Sequence, residues 1–396
     1  MSTATPAHRD SWWRDIAPSS LAAGFVTVLV GFTSSAVIVF QAARALGASE
    51  AETASWLWAL GIGMGVTCIG LSLRWRMPIV TAWSTPGAAM LIASNAGVPL
   101  SDAIGAFVLV AALTAIVGFS GVFERGMRRV PLTLASGLLG GVLLRFGMDV
   151  FVSMRTQMAM TLAMLAIYLC GRRWFPRYAV LATLLLGMGV AGASGLLHLD
   201  DVELRVAQPI FTMPSLSLAA VFGIALPLFV VTMASQNIPG VAVLRASGYD
   251  PPISSSVGWI GAVNLLLAPF GAYALCLAAI TAAICSGREA HPDPSKRYVA
   301  SVFAGMFYLF TGVFGATVAA LFAAFPKELV MAIAGLALFG TIGNSLAVAM
   351  REDRDREAAL ITFLVTASGF SFGGIGSAFW GLIAGGLALL LRPHAR

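Results

Sequence analysis

"MPIVTAWSTPGAAML", Met77 to Leu91, starts as a run suited to extended backbone and ends as the start of a helix, inside a chain otherwise made of long apolar segments. Ile79 to Trp83 are mostly residues that favour strands. Ser84 and Thr85 are helix-capping types, with Pro86 and Gly87 in the first turn that would follow. In water such a junction would be unremarkable, but the surrounding composition implies lipid. Of 396 residues 58% are hydrophobic and only 11% charged, where soluble domains carry about a quarter charged. Apolar segments of about 17 to 25 residues, each enough to cross a hydrocarbon core of about 30 Å, recur from Leu21 to Leu391. Non-helical backbone is tolerated at membrane depth only when it is buried in protein or lines a cavity. The break at residues 77–91 therefore marks a cavity.

Three further segments interrupt the apolar pattern. "VGFTSSAV" (Val30 to Val37) places Gly31, Thr33, Ser34 and Ser35 within the first helix. "TMASQNIPG" (Thr232 to Gly240) sets Ser235, Gln236 and Asn237 before Pro239 and Gly240. "LAPFGAYALCLAAIT" (Leu267 to Thr281) repeats a Pro and Gly break ahead of an apolar run, and a short helix is expected to begin near Gly271.

These segments are related by spacing. Aligning "QAARALG" (Gln41 to Gly47) with "VAVLRASG" (Val241 to Gly248) gives an offset of 201, which also sets Trp58 on Trp259 and carries Ser34 to Ser235 and Ser35 to Gln236. "PLTLASGLLGG" from Pro131 matches "PKELVMAIAGLALFG" from Pro326, with Gly137 and Gly335 separated by 198. Spans starting near Leu21, Ala54, Pro86, Asp102, Pro131, Gln157, Tyr178, Ser215, Ile253, Gly271, Tyr298, Lys327, Glu357 and Phe372 make about fourteen helices. Two halves of seven have opposite orientation, the inverted-repeat plan of secondary transporters, whose substrates sit at discontinuous helices near the midplane. The expected organisation is a cytoplasmic tail (1–20), a first repeat (21–200), a second repeat (201–391) and a short C-terminal tail (392–396).

Charge sets the orientation. With both termini in the cytoplasm, the outer side keeps only Arg44, Arg145, Arg155, Arg205 and Lys327, and the remaining 19 of the 24 Lys and Arg residues lie inside. The net charge of +6 is thus a property of short interhelical loops, not a nucleic-acid-binding stripe. Cys68, Cys170, Cys276 and Cys285 lie in apolar runs without paired spacing, and His8, His198, His291 and His394 fall in loops or tails, so neither a metal site nor a cofactor is expected. No nucleophile, base or metal cluster points to an enzyme. No Asp, Glu, Lys, Arg or His occurs in residues 21–43, 53–73, 214–244 or 253–287, which leaves no buried acid to relay a proton.

Helices starting near Thr85 and Gly271 would aim unpaired N–H groups and positive dipole ends at one point, a seat for an anion. Ser84, Thr85, Gln236 and Asn237 add neutral hydrogen bonds, and Phe32, Trp83, Phe270 and Tyr273 an aromatic wall, so the expected ligand is a small organic anion with a flat apolar body. Each polar residue has a second role open to it, because Ser, Thr, Asn and Gln also join membrane helices by hydrogen bonds, and a Tyr273 ring can be core.

"TAWSTPGAAML", "TMASQNIPGVAVLRASGY" and "AGFVTVLVGFTSSAVIVFQAA" resemble segments of the bacterial benzoate/proton symporters, the BenE-type benzoate membrane transport proteins, and the likeness extends over most of residues 21–391. The resemblance implies an all-α membrane fold related to nucleobase and sulfate-type anion transporters. It has about fourteen helices in two inverted sevens, a core domain (helices 1–4 and 8–11), a gate domain (5–7 and 12–14), and short interrupted helices 3 and 10. It also implies a homodimer in the bacterial inner membrane. Nucleobase carriers hold their substrate with acidic residues on helices 8 and 10; the positions aligned here are Gln236 and Tyr273, which suits a carboxylate. The expected activity is import of benzoate or a similar aromatic carboxylate with a proton by alternating access; the alternative is a transporter or channel for an inorganic or nucleobase-like anion. The expected substrate contacts are Phe32, Thr33, Ser34, Ser84, Thr85, Pro86, Gly87, Gln236, Asn237, Gly271 and Tyr273.

Overall fold

A computed structural model describes residues 12–93, 98–197, 206–315, 317, 325–370, 372 and 377–391. Proline or a capping side chain opens the early helices. Pro18 starts α1 (Pro18–Ala45). Ser49 starts α2 (Glu50–Trp75) through a capping box in which its side chain accepts from the Glu52 N–H while Glu52 answers the Ser49 N–H. Arg76, left-handed at φ 50°, ends α2, and Pro78 helps keep the chain extended into β1 (Thr81–Trp83) and then α3 (Thr85–Ala93). Next come α4 (Leu100–Phe119), a six-residue surface helix (Val122–Met127), α5 (Leu132–Ser153), α6 (Met158–Trp174) and α7 (Ala179–Ala193).

The second half begins with α8 (Leu218–Ala246) and α9 (Ile253–Leu267). A 3-10 turn (Ala268–Phe270), β2 (Leu275–Leu277), α10 (Ile280–Ser286) and α11 (Tyr298–Val313) follow. The chain finishes with α12 (Lys327–Ala349), α13 (Arg356–Ala367) and α14 (Ser377–Leu391). Among the described residues, six helical segments are long and apolar enough to cross a membrane by themselves: α2, α4, α5, α8, α12, and α9 extended to Phe270.

Two sets of helices pack mainly among themselves. In one, α11 lies along α1 and α2, α9 lies along α4, and α3 and α10 both abut α1. In the other, α5 lies along α12 and α13, α13 along α14, and α6 along α7. The sets meet where the C-terminal part of α8 crosses α5, where α1 touches α7 and α12, and where α10 touches α12.

The segment "TMASQNIPG" stays helical throughout, so Pro239 does not break it. Residues Met233–Asn237 form a π-helical turn in which the Ile238 N–H donates to the Met233 carbonyl five residues back. A second π turn, Val221–Ala225, precedes Pro227 in the same way. Proline brings no N–H and its ring crowds the carbonyl four residues earlier; widening the preceding turn accommodates both effects and keeps the helix axis continuous.

One expectation is overturned here. The second short helix starts at Ile280, nine residues after Gly271. Pro269 and Gly271 instead end α9: the 3-10 turn closes on Gly271 at φ 102°, and the chain then runs extended through β2.

Candidate functional site

β1 and β2 pair antiparallel between the two short helices, with Thr81 opposite Leu277, Ala82 opposite Cys276 and Trp83 opposite Leu275. So short a ladder leaves most of its backbone groups without a strand partner, and burial requires that each find one elsewhere. Neighbouring helices provide them. On α2, Cys68 Sγ accepts from the Thr81 N–H at 3.2 Å, and the Ser72 hydroxyl donates to the Ile79 carbonyl at 2.9 Å. Asn237 on α8 accepts the Leu277 N–H on its Oδ1 at 2.9 Å while its Nδ2 donates to Met233 Sδ. The Ser84 N–H donates to the Ala274 carbonyl and the Ala278 N–H to the Val80 carbonyl. Tyr273, fully buried, donates its hydroxyl to the Ser84 carbonyl at 3.0 Å.

A cavity of about 80 Å³, counted as space for the centres of water-sized spheres, lies between these elements and the middle of α1. On that measure it holds about five waters, the scale of one small molecule. Its walls come from Val30, Gly31 and Ser35 (α1), Met64 (α2), Ala82, Trp83 and Thr85 (β1–α3), Gln236 (the π turn of α8), Ala278 to Thr281 (β2–α10) and Tyr308 (α11). Among the described residues, Phe146 of α5 is the one wall residue from the other helix set, and the lining contains no carboxylate, ammonium or guanidinium group.

The predicted residues divide by what they touch. Thr85 and Gln236 line the cavity, and neither side chain has a hydrogen-bond partner among the described residues, so both present unused donors and acceptors to it. Phe32 sits behind the wall with its ring edge-on to Trp83 at 5.2 Å, and Trp83 Nε1 donates to Ser35 Oγ at 2.9 Å, which fixes the indole. Ser84 is fully buried as the cap of α3: its Oγ accepts from the Gly87 N–H at 3.1 Å and from the Thr232 hydroxyl at 3.0 Å. Gly87 is packed under Leu228. Pro86 is half-buried in the first turn of α3, off the wall. Asn237 is committed to β2, and Gly271 lies against the Trp56 indole. Tyr273 packs between Trp56 and Phe107, with ring centroids 6.1 Å from each. Ser84, Asn237, Gly271 and Tyr273 therefore build the site without reaching its interior. Thr33 and Ser34 belong to α1, but their side chains lie outside the described residues.

The two helix ends at the cavity differ. At α3, Ser84 satisfies the Gly87 N–H, Ser84 O accepts from Ala88, and Pro86 has no N–H, so Thr85 alone retains a first-turn donor. At α10 the cap position is Ala279, which has no side chain to offer, so the first-turn N–H groups are uncapped. The sequence reasoning missed Ile280, Thr281, Tyr308 and Phe146. Aligning the breaks strand to strand, Ala82 on Cys276 at an offset of 194, would have found Ile280 and Thr281.

A buried acid also exists, contrary to expectation. Glu289, two residues past Gly287 in the loop after α10, is 9% exposed, and burial pushes its carboxyl above the usual carboxylate range.

The chain matches the family model described as "Benzoate membrane transport protein" over residues 14–391. It belongs to this family. Among curated relatives it is 46% identical over 376 residues to the inner membrane protein YdcO of Escherichia coli (strain K12), covering 95% of this chain and 96% of that one. It is 39% identical over 384 residues to the benzoate membrane transport protein of Acinetobacter baylyi (strain ATCC 33305 / BD413 / ADP1), covering 96% and 98%. Among solved structures, that of SLC26A9 superposes with a TM-score of 0.50 at 12% identity, over 96% of this chain and 66% of that one. This member of the benzoate membrane transport family is thus a helical membrane transporter with an SLC26-like fold.

Proposed function

We propose that the protein imports benzoate or a closely similar aromatic carboxylate with a proton, and that the substrate occupies the cavity between β1–α3, β2–α10 and the π turn of α8. The observation that carries this is the lining: Gln236, Thr85 and the uncapped start of α10 offer neutral donors beside an apolar wall of Val30, Met64, Trp83, Phe146 and Ile280. Donors of this kind, with helix dipoles behind them, suit a carboxylate head, and the wall suits a flat ring. Inorganic anions would gain nothing from so apolar a surface. With no cation in the lining, transfer together with a proton removes the net charge that would otherwise be desolvated.

The antiparallel β1–β2 pairing and the placement of one short helix after each strand support two inverted repeats of seven helices, residues 21–200 and 201–391. The helix sets correspond to a core (1–4 and 8–11) and a gate (5–7 and 12–14), and alternating access would be rocking of one against the other. The basic loops gather on one face. Asp15 binds Arg76 and Lys296, Arg245 donates to the Met127 and Val130 carbonyls, and Tyr249 donates to the Pro294 carbonyl. By charge bias that face is cytoplasmic, together with both termini, in the inner membrane of a bacterium. Assembly as a homodimer belongs to the same proposal.

Uptake of labelled benzoate into proteoliposomes under an inward proton gradient tests this. Gln236→Ala and Thr85→Ala should each lower uptake efficiency by about tenfold or more, the scale of one hydrogen bond to a charged group. Normal uptake by both variants would contradict the site.

A further inference from the structure

The Glu289 carboxylate reaches out of the first helix set and into the second. Its Oε1 accepts from Arg172 Nη1 at 3.0 Å, and the same Nη1 lies 3.2 Å from the Tyr168 hydroxyl; both residues are on α6. On α12, Gly340 forms the floor: a Cβ there would run into Glu289 Oε1 and stand 3.3 Å from Arg172 Nη1, so a side chain at this position would displace the carboxyl from its seat. The other oxygen, Oε2, is buried with no hydrogen-bond partner among the described residues. The Glu289 side chain is 8% exposed and that of Arg172 47% exposed, so the acid is enclosed while its partner reaches water. The seven-residue α10 joins the two places: Ile280 and Thr281 line the cavity at its start, and Glu289 follows its end. Movement of the second helix set away from α10 would break the Arg172–Glu289 hydrogen bond and wet the carboxyl together.

We propose that Glu289 is a proton-binding latch: seated between α6 and α12 it holds the helix sets together on the basic face, accepting a proton that has entered from the opposite side while this face is closed and releasing it as the face opens. This rests on the proton-coupled transport proposed above and supplies the buried acid that the cavity lacks. The charged and titratable groups acting on the carboxyl are Arg172 and Tyr168 from α6 and Arg288 and Arg297 from its own loop, while Gly340, which does not titrate, lies against it from α12. Burial raises the affinity of Glu289 for a proton, and the three arginines oppose it without cancelling it. The sign follows. A carboxyl whose proton affinity is higher when closed than when solvated favours the closed state at low pH, and closure weakens as pH rises through the raised value. Opening toward the cytoplasm returns the group to an ordinary carboxylate, and the proton leaves on that side.

Distance measurement between spin labels tests the latch without substrate or gradient, so its result stands apart from that of the uptake assay. Labels at Arg173→Cys (end of α6) and Ser295→Cys (loop after α10), in a Cys170→Ala background, span the two sets on the basic face; both positions are exposed. For protein with Glu289, the ratio of long to short distances should rise as pH climbs from the ordinary carboxylate range to the raised value of the buried group, by up to tenfold per pH unit for one titrating group, and level off above it. Glu289→Gln, which cannot ionise, should keep the short population at every pH, and Gly340→Ala should favour the long one. A pH-independent ratio in the Glu289 protein, or a Glu289→Gln protein that still responds to pH, would overturn the proposal. If Glu289→Gln does not fold, the Glu289 protein alone decides. Loss of benzoate uptake with an intact distance response would count against the substrate and leave the latch standing.

Discussion

Replacing Asn237 by leucine should reduce benzoate uptake by about a hundredfold while the protein still inserts and folds. The Asn237 Oδ1 is the acceptor for the buried Leu277 N–H, at the end of the two-strand ladder. Leucine leaves that N–H without a partner, at a cost of about 1 to 3 kcal/mol. The loss falls on β2, three residues before α10 starts at the cavity. Displacement of a binding group by about 1 Å is enough for a loss of that size. Uptake in proteoliposomes, alongside the thermal midpoint in detergent, separates the two effects. The expected pattern is a small fall in midpoint and a large fall in uptake. Uptake within twofold of the parent would mean that Asn237 does not hold β2.

Gly271→Ala should cost more stability than Thr85→Ala or Gln236→Ala in the cavity wall. Gly271 ends the 3-10 turn at φ 102°, a conformation that disfavours any side chain, and an added Cβ would overlap the Trp56 indole. The backbone cost is about 1 to 2 kcal/mol and forced repacking adds about 1 to 3. Trp56 has little freedom to yield, since it lies edge-on to Phe107 at 5.2 Å and beside Tyr273 at 6.1 Å. Gly70→Ala on α2 is the control, because nothing lies within 4 Å of a Cβ there. Thermal unfolding of the two variants should show a clear drop for Gly271→Ala and almost none for Gly70→Ala. Equal midpoints would show that the turn tolerates a side chain.

Much of the site was legible because lipid punishes irregular backbone. Extended residues at 79–83 followed by Ser84, Thr85 and Pro86 can exist at depth only when buried in protein or beside a cavity, and Trp83, Thr85 and Gln236 do line one. The second break misled because Pro and Gly mark the end of a helix as readily as its start. In the first half Pro86 sits in the opening turn of α3, whereas Pro269 and Gly271 close α9. The polar residues misled for a related reason. Ser84 and Asn237 sit in the predicted segments, but a two-strand ladder in an apolar interior needs side-chain partners, and these two supply them. Sequence periodicity cannot tell a residue that faces a cavity from one that faces the backbone beside it.

Glu289 was missed because "GREAHPDPSKR" has the composition of a solvated loop. Tertiary contacts with Arg172 and Gly340, more than fifty residues away on either side, bury it. Arg297 from the same loop is also 7% exposed and donates to the Ser286 and His291 carbonyls, so the segment is a folded cap on α10.

A structure of the protein with benzoate bound is the most direct test that two interrupted helices and one π turn form the carboxylate site. The carboxylate should lie within hydrogen-bond reach of Gln236, Thr85 and the first-turn N–H groups of α10, with the ring against Trp83. Benzoate seated elsewhere, or held by an arginine or lysine side chain, would contradict it.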